Sequence, residues 1–113
     1  MSKRNEKVLV EDILESLIKI LEYTKGMTYD DFLADSKTRE AVYRNIEVMS
    51  EAAHRLPQYF MNDHREIEWY KIISTRNIIV HHYDEIDDMI IWNVVTKKLP
   101  DLKTKLETLL ETL

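Results

Sequence analysis

Apolar residues return every three or four positions along nearly the whole of this chain, and that rhythm restricts it to helices packed on helices. Over residues 8–23, Val10, Ile13, Leu14, Leu17, Ile18 and Leu21 recur at this spacing, with Glu11, Asp12, Glu15, Lys19 and Glu22 between them. With one glycine and two prolines in 113 residues, the tight turns of an all-β chain have few places to form. Gly26 follows Thr24-Lys25 where a helix stop is expected, and Thr28 with Asp30 and Asp31 offers a cap and an acidic first turn to a short helix carrying Phe32 and Leu33.

Asp35 or Ser36 caps a third helix, whose apolar positions Ala41, Val42, Ile46, Met49, Ala52, Ala53 and Leu56 run until Pro57 stops it. Residues 58–65 read as a loop. A fourth helix begins at Glu66, carries Ile67, Tyr70, Ile73, Asn77 and Val80, and ends between His81 and Asp84. Asp87 or Asp88 caps a fifth over 89–98. Pro100 either kinks it or separates it from a last amphipathic helix with Leu102, Leu106, Leu109, Leu110 and Leu113. The expected fold is all-α, an antiparallel four- to five-helix bundle in a single domain over 1–113.

Cysteine is absent, which removes disulfides, a thiol nucleophile and thiolate metal sites. The N-terminal residues Met1 to Lys7 are charged and lead into an amphipathic segment, so a cytoplasmic protein with no membrane contact is expected. The net charge of −5 argues against holding nucleic acid by bulk electrostatics, because such binding rests on neutralising phosphates. Any nucleic-acid contact must be local.

Polar and ionisable groups crowd around a short apolar run in Ser74-Thr75-Arg76-Asn77-Ile78-Ile79-Val80-His81-His82-Tyr83-Asp84, which a bundle core does not require. At about 100° per residue, Asn77 and His81 share one helix face and Arg76 and Tyr83 another, while Arg76 and His81 diverge by about 140°. They converge if the helix unwinds near His81, or if two copies of it pack about a two-fold axis, each giving its Arg and His. An always-protonated guanidinium grips phosphate oxygens, and an imidazole titrating near neutrality moves a proton to or from a hydroxyl. The pair suits metal-free RNA cleavage: His81 would take the proton of a ribose 2′-hydroxyl or give one to the leaving oxygen, Arg76 would stabilise the phosphorane, and Asn77 would orient the imidazole or bind a phosphate oxygen. The structural alternative is that Arg76 and His81 merely pair with carbonyls at a helix C-terminus.

Elsewhere the signals are weaker. Glu51 and His54 have the spacing of a di-iron half-site, but no second E-x-x-H exists, so neither metal nor cofactor is expected. His81 and His82 are adjacent and diverge on a helix, and His64 falls in the expected loop. Trp69 and Trp92 read as core or interface anchors. The acidic run Asp84-Glu85-Ile86-Asp87-Asp88 reads as a loop and cap, or as a face for a basic partner.

The pattern R-N-x-x-x-H-x-Y, met by Arg76, Asn77, His81 and Tyr83, resembles the signature of the HEPN superfamily, and specifically its HepT-like toxin branch. The resemblance covers nearly the whole chain: Asp12-Ile13-Leu14-Glu15, Tyr23-Thr24-Lys25-Gly26, Ala41-Val42-Tyr43-Arg44-Asn45-Ile46-Glu47, Ser50-Glu51-Ala52-Ala53, Leu56-Pro57, Trp69-Tyr70-Lys71-Ile72-Ile73 and Leu99-Pro100. It implies a two-fold homodimeric, metal-independent endoribonuclease toxin of a type VII toxin-antitoxin system, with Arg76 and His81 as the catalytic pair and an RNA, such as tRNA or mRNA, as substrate. It implies as partner a minimal nucleotidyltransferase antitoxin, which silences the toxin by binding or by AMPylation of Tyr83. The family pattern often has glycine where this chain has Ser50, a departure that bears on how closely backbones approach there. The rival reading is a non-catalytic helical substrate-binding subunit of a two-component nucleotidyltransferase, and a third is a degenerate interaction module.

Overall fold

The computed structural model describes residues 3–80 and 86–113, and among these all regular secondary structure is helical. Helix α1 (Lys3–Thr24) presents Val10, Ile13, Leu17 and Ile20, all fully buried, to one side. Their three- and four-residue spacing makes a stripe that packs on α3 (Ser36–His54) and α8 (Leu99–Glu111). Opposite it lie Val42, Ile46, Met49 and Ala53 of α3 and Leu106 and Leu109 of α8. Burying each of the large members contributes about 1.5–3 kcal/mol.

The turn after α1 follows the expected chemistry. Gly26 takes a positive φ of 76°, a conformation that costs a residue without Cβ nothing. Thr28 then caps α2 (Tyr29–Ala34) in a reciprocal box, its hydroxyl accepting from the Asp31 N–H at 3.1 Å and the Asp31 carboxylate from the Thr28 N–H at 3.0 Å. Phe32 drops into the core. Asp35 caps α3 by accepting from the Thr38 N–H at 3.0 Å and the Thr38 hydroxyl at 2.7 Å, bonds that hold its carboxyl below the usual carboxylate range.

Two elements depart from the sequence reading. Residues 58–65, expected as a loop, contain α4 (Gln58–Asp63). Pro57 ends α3 and also opens α4: its extended backbone at φ −70°, ψ 150° is the N-cap, and its carbonyl accepts from Phe60 and Met61 N–H groups. Phe60 and Met61 are buried, Phe60 lies on Trp69, and the Tyr59 hydroxyl donates to the carboxylate of Glu6 on α1. Tertiary contacts thus make a helix of a segment too short to show a period. The second departure is at the fourth expected helix, which starts at Trp69 rather than Glu66 and is divided into α5 (Trp69–Thr75) and α6 (Asn77–Val80).

Asp87 caps α7 (Asp88–Asn93), accepting from the N–H groups of Met89 and Ile90. Beyond it, Pro100 does not separate the helices. A π-helical turn over Val94–Lys98 joins α7 to α8, with the Leu99 N–H bonded to Val94 O. A proline has no N–H to give the preceding turn and its ring needs room there, and one wide turn supplies both relaxations. No helix of the described residues is long and apolar enough to cross a membrane.

Candidate functional site

The helix carrying the R-N motif is interrupted by named interactions. In its last turn Thr75 Oγ1 donates to Lys71 O at 2.6 Å and Ser74 Oγ reaches the same carbonyl at 3.3 Å, back-bonding that competes with the helical ladder and bends it. One residue on, Ile72 O accepts from Ser50 Oγ of α3 at 2.7 Å, in a fully buried contact. In an uninterrupted helix that carbonyl would take the N–H of Arg76. The Arg76 N–H turns to Ser74 O instead, and Arg76 becomes the cap between α5 and α6. Its own carbonyl accepts from the Ile79 N–H at 3.0 Å, and Ile79, buried, anchors α6 to the core. Ser50 is small enough for α3 and α5 to approach and adds a bond that a glycine there would lack.

Arg76 is half-buried and faces a groove of about 610 Å³ along α1 and α3. Three arginines, Arg44, Arg55 and Arg76, and Lys19 line it together with the carboxylates of Asp12, Glu15, Glu47 and Glu51. The groove is therefore of mixed charge, and three of its four cations are fork-shaped guanidinium groups suited to phosphate. Asn77, the first residue of α6, is exposed. The sequence-predicted His81 and Tyr83 lie outside the described residues, as do His82, Asp84 and Glu85. A divergence of Arg76 and His81 by about 140° holds only for one unbroken helix, and the chain is divided at Arg76.

A polar cluster holds the start of α7. Arg39 Nη1 donates to the carbonyls of Phe32 and Leu33 at the end of α2, and its Nε lies 3.8 Å from Asp88. The Tyr43 hydroxyl donates to the same Asp88 carboxylate. Burial, with this acceptor beside it, pushes the Tyr43 hydroxyl up to about 12. Thus α2, α3 and the start of α7 are tied together. Asp87 and Asp88 of the acidic run serve as cap and ion-pair partner.

The tryptophans are anchors, as expected. Trp69 is buried with Nε1 donating to His64 O at 2.9 Å, and Trp92 packs on Phe32 with ring centroids 5.1 Å apart. Glu51 and His54 are exposed on α3, and among the described residues no three His, Asp or Glu side chains converge as a metal site.

One feature escaped the sequence. A pocket of about 460 Å³ lies between α3, α5, the π turn and α8, with an apolar floor that includes Ile72, Val94 and Leu99. Its rim carries Lys71, Lys97, Lys98 and Lys105 against Glu68 and Asp101. The Lys71 ammonium, 2.9 Å from Glu68, holds that carboxyl below its usual range, and Lys105 and Lys98 add to the effect. Nothing in the sequence joins Lys97 and Lys98 to Lys71.

Fold and site together define a class: a small all-α domain that presents an arginine at a helix junction over a groove of mixed charge. Comparison with known proteins makes this specific. A family model described as "Ribonuclease HepT-like" matches residues 13–109, and the chain belongs to that family. It is 37% identical over 107 residues to a Thermococcus cleftensis protein named "Probable ribonuclease HepT", covering 95% of this chain and 97% of that one. It is 36% identical over 111 residues to each of two Methanocaldococcus jannaschii proteins named "Putative RNase", covering 98% and 95% of this chain and 92% and 98% of theirs. No solved structure matches significantly.

Proposed function

We propose that this protein is a metal-independent endoribonuclease toxin that works as a two-fold homodimer, with Arg76 and His81 as its catalytic pair. The observation that carries the reading is Arg76, a motif residue in a chain of the HepT-like ribonuclease family, set at a helix junction over a groove with two further arginines. His81 takes the proton of the ribose 2′-hydroxyl, and the freed oxygen attacks the adjacent phosphorus. The P–O5′ bond breaks, a proton is delivered to the departing 5′-oxygen, and a 2′,3′-cyclic phosphate remains. Arg76 donates to the non-bridging oxygens as charge grows on the phosphorane, and Asn77 orients the imidazole or holds a phosphate oxygen. Two motif helices meeting about the dimer axis bring the groups of both copies to one cleft.

The partner in this reading is a nucleotidyltransferase antitoxin. The Tyr83 hydroxyl attacks the α-phosphorus of ATP, pyrophosphate leaves, and the tyrosine carries AMP. That adds a negative phosphate and an adenosine to the motif that would otherwise receive RNA.

Purified protein should cut RNA in the presence of EDTA, leave DNA intact and yield 2′,3′-cyclic ends. Arg76→Ala and His81→Ala should each lower the rate by at least about 10²-fold, the scale of losing one transition-state donor, with unchanged circular dichroism. Inhibition by EDTA, or full activity in either variant, refutes the mechanism. Folded protein that never cuts RNA but raises the activity of a nucleotidyltransferase points to the substrate-binding subunit instead.

A further inference from the structure

The lysine-rimmed pocket lies on the other side of the motif helix from the groove that holds Arg76. Thr75 lines the pocket and its sequence neighbour Arg76 lines the groove, so the end of α5 separates the two. Its floor and rim differ in chemistry. Ile72, Val94, Leu99 and Leu102 are aliphatic, a surface for the flat face of a base, while four ammonium groups stand above them. Two of these are matched, Lys71 with Glu68 at 2.9 Å and Lys105 with Asp101 at 3.4 Å. Lys97 and Lys98 have no carboxylate within ion-pair distance among the described residues, in a protein whose net charge is −5.

The π turn builds this arrangement. Closing the turn five residues apart brings Val94 and Leu99 to the same side, so both reach the floor while Lys97 and Lys98 on the turn reach the rim. The opposite wall is held by the buried Ser50–Ile72 bond between α3 and α5. A surface patch of lysines needs neither the apolar floor nor the widened turn.

We propose that this pocket binds one nucleotide unit of single-stranded RNA, its base against the aliphatic floor and its phosphates on Lys97 and Lys98. The site gives an acidic protein a local hold on a polyanion, outside the groove of Arg76. The inference rests on the ribonuclease reading for its substrate, but its test does not require cleavage.

Binding of a fluorescein-labelled single-stranded RNA to full-length protein carrying His81→Ala is followed by anisotropy across a range of salt. Lys97→Glu with Lys98→Glu should weaken binding about tenfold or more and reduce the slope of log K against log salt by about 1.4, two phosphate contacts on a single strand. Lys25→Glu with Lys37→Glu, the same charge change at exposed positions away from the pocket, should cost far less. Titration with AMP should shift the methyl resonances of Val94, Leu99 and Leu102. Equal losses in the two double variants, RNA affinity indifferent to Lys97 and Lys98, or methyl signals unmoved by AMP each overturn the assignment. Lysine-dependent binding without cleavage by the parent chain leaves the pocket standing and removes the ribonuclease; cleavage without lysine dependence does the reverse.

Discussion

Ser50→Ala removes one oxygen from the interior, and the structure sets what that costs. Ser50 is 0% exposed and its hydroxyl is bonded to Ile72 O at 2.7 Å, a carbonyl without the Arg76 N–H as partner. Deleting the donor leaves a buried acceptor short of a bond, a penalty of about 1–3 kcal/mol. Unfolding entropy of about 2.1 cal/mol/K per residue over 113 residues converts this to a fall in Tm of about 4–13 °C. Ser50→Gly should lose the same bond and about 1 kcal/mol more for glycine inside a helix, placing it below the alanine variant. Differential scanning calorimetry of the three proteins decides the matter. A Ser50→Ala protein melting within about 1 °C of the parent, or a glycine variant more stable than the parent, would refute the claim that this bond fastens the motif helix to α3.

Other outcomes follow from the same structure. Light scattering should give twice the mass of the chain, and a stable monomer at micromolar concentration would defeat a site shared between two copies. Coexpression with a nucleotidyltransferase antitoxin should add AMP to Tyr83, seen by intact mass and peptide mapping, and Tyr83→Phe should escape that modification. Because the folded-state value of Tyr43 is raised from 10.0 to about 12, its contribution to stability is full below pH 10 and is lost as the pH rises through about 12. Tyr43→Phe should flatten that part of the stability curve in alkaline urea melts. Asp87→Ala should cost about 1 kcal/mol by orphaning the N–H groups of Met89 and Ile90, measured by urea denaturation.

The local signals were legible because they are local. Thr28, Asp35 and Asp87 lie within three residues of the N–H groups they cap, and Gly26 stands at the one turn that needs a positive φ. The all-α class followed from the period of the apolar residues. Helix α4 was missed because Phe60 and Tyr59 are held by Trp69 and Glu6, partners remote in sequence. The break before Arg76 escaped for a related reason: Ser74 and Thr75 hinted at it, but Ser50 from another helix completes it. Arg76 and Asn77 are singled out by the motif, and the setting of Arg76 on a groove lined by α1 and α3 is a tertiary fact. The lysine pocket was illegible, since Lys71 meets Lys97 and Lys98 only in the folded chain.

The π turn at Val94–Lys98 also acts as a phase shifter. In a straight α-helix each residue advances the side-chain direction by about 100°, so one residue more in a single wide turn resets the angular origin of everything after it. Helix α7 thereby directs its apolar side, through Ile91, toward α2, while α8 directs Leu106 and Leu109 toward α1. Two partners in different directions are served by one continuous rod without a loop. Winding the same residues as a uniform α-helix would swing the face of α8 by roughly a quarter turn and pull Leu106 out of the core, whereas deleting Thr96 would remove the extra residue of the wide turn and leave that face nearly in place.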